Sequence, residues 1–305
     1  MSFKILPFIL VCFITFNGLF SKDIKVVCST SDIAWLAKKI GKDKVTVTAL
    51  SDGNDDPHYL DVTPKSIKVV SEADVLCFVG LELEIGWLPK VIQKSGNSKI
   101  KLNQTGYCDC SVYVQVLEKP NGPVDRSMGH VHSGGNPHYQ LDPQQMIFAA
   151  KAILETLIKT KAEEKDYFNK NFELLNEELT KLKSDLQEKT KKLGKMKVTQ
   201  YHTEMSYLIA TLELSSFEAI EKVPGVSPSA ERLFSFGNEC KTNGVTLCLA
   251  TKHSPINKLK KFNSISQIPF IQERVSLINF QSEDAYEKMM NELVDKIIQT
   301  QSEKK

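Results

Sequence analysis

The stretch Glu163–Leu193, EEKDYFNKNFELLNEELTKLKSDLQEKTKKL, decides the fold. It carries no Gly or Pro and is dominated by Glu, Lys and Leu, residues that favour helix. Phe172, Leu175, Leu179, Leu182 and Leu186 recur at spacings of three and four, so one face of the helix is apolar and the other charged. A helix so striped lies along other structure. The stripe breaks at Lys189–Lys192 without a heptad continuation, which disfavours a coiled coil. Upstream, the segment from Gln144 onward has the same helical composition.

On both sides the pattern changes to short β-branched runs alternating with amphipathic segments, the signature of parallel strands joined by helices. Before the helix, strands are expected at Ile24–Cys28, Val45–Leu50, Val75–Val79 and, fourth, Lys99–Leu102. Ser29, Thr30 and Ser31 offer a cap for a helix running from Ile33 to Ile40, which Gly41 ends. After it, strands are expected at Lys197–Tyr201, Ser216–Ile220, Val245–Ala250 and Ile268–Gln272, with a terminal helix over Glu283–Gln299. The expected fold is therefore α/β: two similar lobes, each a mostly parallel sheet flanked by helices, joined by one long rigid helix. The division reads as a signal peptide over residues 1–21, an N-terminal lobe over 22–142, a helical region over 143–194 and a C-terminal lobe over 195–305. Two such lobes leave a cleft between them, and ligands of parallel sheets bind beyond the carboxyl ends of the strands.

The 305 residues hold 39 basic and 37 acidic side chains, a balance that gives no argument for nucleic acid or an anionic membrane surface. Lys4, the apolar run Ile5–Phe16 and the small residue Ser21 form the three-part pattern of an export signal, and the run is shorter than the roughly 20 residues of a membrane span. Cys12 lies within that run without a small residue before it, which disfavours lipidation there. Cys28, Cys77, Cys108, Cys110, Cys240 and Cys248 remain after cleavage, an even number in a compartment that permits disulfides. Cys240 and Cys248 are near enough in sequence to pair, whereas Cys28 and Cys77 read as buried strand thiols. Cys108-x-Cys110, without a second pair, is a weak zinc signal. No phosphate loop of the G-x-x-x-x-G-K-[ST] kind is present, so the chain is not an ATPase of that class.

Three histidines stand where strands discharge into loops. His58 follows Asp55-Asp56-Pro57, His138 follows Asn136-Pro137 ahead of Leu141-Asp142-Pro143, and His202 follows Tyr201 at the end of an expected strand. Imidazole suits zinc, while manganese prefers carboxylate and water oxygen, so a three-histidine set points to Zn2+. The prolines fix φ before His58 and His138, and Asp55, Asp56 and Asp142 are candidates to accept the second imidazole N–H. His130 and His132 lie in the Gly129–Gly135 loop, whose glycines make it mobile, so the pair is read either as a weak gatherer of zinc ahead of His138 or as part of a solvated loop. A zinc hydrolase is the alternative from another class, but no H-E-x-x-H is present.

The segments Gly80-Leu81-Glu82-Leu83-Glu84 with Trp87-Leu88, Asp56-Pro57-His58, Asn136-Pro137-His138-Tyr139 with Asp142-Pro143, and Tyr201-His202 with Tyr207 resemble, in order, the zinc and manganese solute-binding proteins of ABC importers. Pro224-Gly225-Val226 with Pro228-Ser229 is similar to a stretch of one subgroup. The resemblance implies an exported, monomeric, non-enzymatic protein that binds zinc as transport substrate and delivers it to a membrane permease. It implies His58, His138 and His202 as ligands. The family's fourth ligand does not map cleanly, because manganese-type relatives carry a carboxylate where this chain has Ala250-Thr251-Lys252-His253. The acid near the last strand that corresponds is Glu273, with Glu283, Asp284 and His253 as alternatives and a water as another. Manganese or another divalent cation is the alternative cargo, and a surface adhesin is the alternative use of the same fold.

Overall fold

In the computed structural model, which describes residues 23–120, 122 and 132–302, the first strand is β1 (Ile24–Thr30). It is buried almost throughout, as a central parallel strand must be when helices cover both faces of its sheet. β2 (Val45–Ser51), β3 (Val75–Phe78) and β4 (Tyr107–Asp109) complete a parallel sheet of order β2-β1-β3-β4. Helix α1 (Ser31–Gly41) connects β1 to β2, and Thr30 caps it by accepting from the Ile33 amide. The second sheet, β6-β5-β7-β8, repeats that order with β5 (Lys197–Gln200), β6 (Ser215–Ala219), β7 (Leu247–Thr251) and β8 (Phe270–Glu273). In both lobes the chain reverses direction across the sheet beside its first strand, which opens a crevice at the carboxyl ends.

The fourth strand of the first sheet is not where the sequence suggested. Ser98–Ile100 is a single 3-10 turn, begun by Asn97, whose side chain accepts from the Lys99 amide and donates to the carbonyls of Val70 and Ala73. Those bonds commit the segment to a turn, and Tyr107–Asp109 takes the edge beside β3. Cys240 and Cys248 are both buried free thiols, not a disulfide.

In the first lobe α2 (Pro64–Ser71) and α3 (Leu88–Ser95) follow β2 and β3, and between the sheets run α4 (Pro143–Thr160) and α5 (Lys165–Thr190), the latter closed at each end by 3-10 turns. Phe168, Leu175, Leu179, Leu182 and Leu186 are its buried stripe, and Phe172 packs at the margin. The helix is tied to both lobes. Asn171 donates to the Ile40 carbonyl of α1, Lys39 meets Glu178 at 2.6 Å, and Gln187 donates to the Thr211 carbonyl in the second lobe. One apolar cluster accordingly runs from Val26 and Leu36 through Leu179 to Leu208, Leu249 and Ile297. Two lobes that share a close-packed core have little freedom for a wide hinge motion.

The lobes also meet directly. The Gly53 amide donates to the Leu277 carbonyl at 2.7 Å, Ser31 Oγ donates to the same oxygen, and the Leu277 amide donates to Asp32 Oδ1 at 3.1 Å. A Cβ on Gly53 would lie 2.1 Å from the Ser276 carbonyl oxygen, so only glycine permits this approach. Among the described residues no helix is long and apolar enough to cross a membrane. The expected signal peptide, with Cys12, lies outside the described residues.

Candidate metal centre

His58, His132, His138 and His202 converge from three loop segments, His132 and His138 sharing one. The rings of His58 and His138 are 5.2 Å apart between centroids, His58 and His132 are 5.5 Å apart, and His138 and His202 are 6.2 Å apart. A cavity of about 180 Å³ is lined by Glu118, His132, Asn136, His138 and His202, and an adjoining one of about 120 Å³ by Asp56, His58, His202, Glu204, Glu221 and His253. Cys77, Cys108 and Cys110 are the only described group of three metal-binding side chains whose donor atoms all lie within 4.8 Å of one another. The histidine nitrogens thus stand wider than a closed coordination sphere, and binding an ion calls for a small inward adjustment.

The His58 and His202 rings are each aimed by a carboxylate beside them. Asp56 Oδ1 accepts both from the His58 amide, at 3.0 Å, and from Nδ1, at 2.8 Å, while Trp87 Nε1 donates to the Pro57 carbonyl and pins the loop. His202 stands two residues beyond the end of β5, and its Nδ1 lies 2.8 Å from Glu221 Oε2, an oxygen also held by the Gly225 amide. With Nδ1 on a carboxylate, Nε2 is the nitrogen each ring can give to a metal. His138 is the most enclosed, 4% exposed, and its Nε2 is buried with no hydrogen-bond partner among the described residues. A buried polar atom left so is costly unless something binds it.

The electrostatics separate the rings. Burial, with His58, His202 and His132 as neighbours, pushes His138 well below the ordinary histidine range, so it stays neutral and able to ligate. For His202, burial pulls downward but is outweighed by the Glu221 hydrogen bond and by Glu204 and Glu118, and the net shift is upward. Protons therefore compete with a metal at His202 before they do so at His138.

The loop that carries His138 is locked from two sides. Gly135 has φ 103°, where a side chain is strained and a Cβ would lie 2.3 Å from Val116 Cγ1. Asn136 accepts from the His138 amide and donates to Glu118 and to the Thr203 carbonyl. The buried Tyr207 hydroxyl accepts from the Leu117 amide and donates to the Asn136 carbonyl, each at 3.0 Å. Tyr207→Phe leaves both groups without that partner and is expected to destabilise the protein by about 1–3 kcal/mol in urea unfolding. Unchanged stability would show that the hydroxyl does not hold this loop.

The remaining expected residues are dispersed. Glu273 ends β8 with its carboxylate 2.5 Å from Lys296 Nζ, and it lines a cavity of about 330 Å³ that holds none of the histidines. Glu283 meets Lys39 and Asp284 meets Lys288, both at the outside of the fold. His253 is the alternative that the fold brings to the histidines, lining the cavity with His58 and His202 and a small one with His138. Of the acids expected behind the imidazoles, Asp56 is in place. Asp142 instead caps α4 through the Gln144 amide and pairs with Lys183. His130 lies outside the described residues. Sequence reasoning missed Glu221, 19 residues from its histidine, and gave His132 only a gathering role.

The family model for zinc-uptake complex component A, periplasmic (ZnuA), matches residues 26–300. The metal ABC transporter substrate-binding lipoprotein SloC of Streptococcus mutans is 29% identical over 221 residues, covering 68% of this chain and 65% of that protein. The manganese ABC transporter substrate-binding lipoprotein PsaA of Streptococcus pneumoniae is 29% identical over 166 residues, 53% of this chain and 50% of that protein. The chain thus spans less than two thirds of the length of these curated relatives. A crystal structure of a ZnuA deletion mutant with zinc bound superposes with a TM-score of 0.74 at 21% identity, covering 90% of this chain and 97% of that one.

Proposed function

The chain belongs to the family of zinc-uptake complex component A, and from that premise we propose that it binds zinc in the interlobe cleft and delivers it to the permease of an ABC importer. His58, His138 and His202 are the protein ligands in this reading, with a water or a further side chain completing the ion's shell. The observation that carries it is the buried, unpartnered Nε2 of His138 facing a group of imidazoles whose Nδ1 atoms are set by carboxylates. A nitrogen-rich donor set supports zinc over manganese. The shared core and the Leu277 contacts support a capture step that involves a small adjustment of the loops. In this reading residues 1–21 are an export signal, capture takes place outside the cytoplasm with the chain working as a monomer, and the family supports transport in place of catalysis.

Competition titration of the purified mature chain tests this reading. One zinc ion per chain is expected at the cleft, bound more tightly than manganese. Glu221→Gln should weaken zinc binding by about 10–100-fold, because the carboxylate that orients His202 is lost. Manganese binding more tightly than zinc would select the other cargo, which the name of PsaA and the lining carboxylates Glu118 and Glu204 support. Absence of a tight site for either ion would overturn capture itself.

A further inference from the structure

A second group of metal-binding side chains lies inside the first sheet. β1, β3 and β4 are neighbours, and their register sets Cys28 beside Cys77 and Cys77 beside Cys108. Strand side chains alternate faces, so residues opposite one another in register share a face, and Cys110, two residues beyond Cys108 where β4 enters a 3-10 turn, returns to it. The Sγ atoms of Cys77, Cys108 and Cys110 all lie within 4.8 Å of one another, and those of Cys108 and Cys110 are 4.0 Å apart. All three residues are at most 2% exposed and unbridged. None of them lines the cavities of the histidines.

The spacing fits an ion better than a bond. Three sulfurs each about 2.3 Å from a central ion stand about 4 Å apart in a trigonal plane. A disulfide needs about 2.05 Å, an approach of about 2 Å inside a close-packed core. The set contains only sulfur, the soft donor that selects zinc or copper(I) over hard cations. Burial pushes the Cys110 thiol well above its ordinary range, so a thiolate there calls for a cation beside it. Each sulfur that ligates does so as a thiolate, and the positive charge of the ion offsets the negative charge of the thiolates within the buried core the three cysteines share. Binding releases one proton for each thiolate formed and changes no oxidation state.

We propose that Cys77, Cys108 and Cys110 form a structural metal site, separate from the cleft, that takes one thiophilic d10 ion, zinc or copper(I), as the first lobe folds. Once loaded it also keeps these thiols from oxidation in an export compartment. The site stands independently of the cargo reading, because its donors are separate from the histidines.

The test uses the full mature chain carrying His58→Ala and His138→Ala, refolded with zinc or, in a second arm, with copper(I) under reducing conditions. After dialysis against a chelator, metal analysis should find about one equivalent retained in at least one arm, and the arm identifies the ion. X-ray absorption should place sulfur at about 2.3 Å from it. Adding Cys108→Ala and Cys110→Ala should abolish retention, whereas Cys240→Ala with Cys248→Ala should leave it unchanged. Should the first pair fail to fold, the absorption spectrum of the parent still decides. No retained metal in either arm, a shell of nitrogen and oxygen only, or a disulfide among these three cysteines found by mass spectrometry would overturn the site.

Discussion

His138→Ala is expected to weaken zinc binding by at least about 100-fold in a competition titration while leaving the fold intact. Loss of a supporting group behind a metal ligand already lowers affinity by about 10–100-fold, and His138 is itself the proposed ligand with the least access to water. Its ring is neutral because burial disfavours the charged form, so the variant removes a donor ready to bind without deprotonation. Alanine also relieves a buried nitrogen that lacks a partner. The apo protein should therefore be no less stable in urea than wild type beyond the loss of packing. Near-normal affinity in the variant would move the ion elsewhere in the cleft, with His132 and His253 as the imidazoles next to hand.

The second large effect is on stability against pH. Burial pushes the carboxyl of Asp32 up to about 6, against the hydrogen bonds from the Leu277 amide and Ser276. Burial likewise pushes Glu84 up to about 7, against those from Ser29 and the Val79 and Gly80 amides. A carboxyl raised in the folded state holds its proton there at pH values where the unfolded chain has lost it. Its favourable contribution is complete below the unfolded pKa values of 3.8 and 4.5, and it is lost as pH rises through about 6 for Asp32 and about 7 for Glu84. A shift of about two units corresponds to about 3 kcal/mol for each group. Urea unfolding of metal-free protein should therefore show stability falling by several kcal/mol between pH 4.5 and about 7.5. Asn and Gln resemble the protonated acids, so Asp32→Asn and Glu84→Gln should each remove about half of that slope. A profile that the two substitutions leave unchanged would refute the assignment. The two acids have structural consequences beyond stability, since Asp32 joins the lobes at Leu277 and Glu84 shapes the turn after β3.

Much of this molecule is legible one residue at a time. The stripe on α5 is local periodicity, and it appears in the structure with Phe168 at its head and Phe172 moved to the margin. The loop positions of His58, His138 and His202 are also local, although only His202 lies close to a strand end while His138 leads into the helix that starts at Pro143. Asp56 is local too, two residues from the ring it orients. The edge strand was misplaced for a physical reason. Lys99–Leu102 has strand-like composition, but the Asn97 side chain binds the backbone on both sides and outcompetes pairing.

By itself, then, the sequence determined the α/β class, the long helix between two similar lobes, and three loop histidines as candidate ligands, because each rests on periodicity or on a residue's place in its own loop. Tertiary structure alone decided which groups meet. It set Glu221 behind His202, stacked His132 on His58, turned Glu273 to Lys296 and drew three cysteines from neighbouring strands and a turn within 4.8 Å. Strand register and the packing of one lobe on another are long-range choices. No local period records them, and only the shared core fixes them.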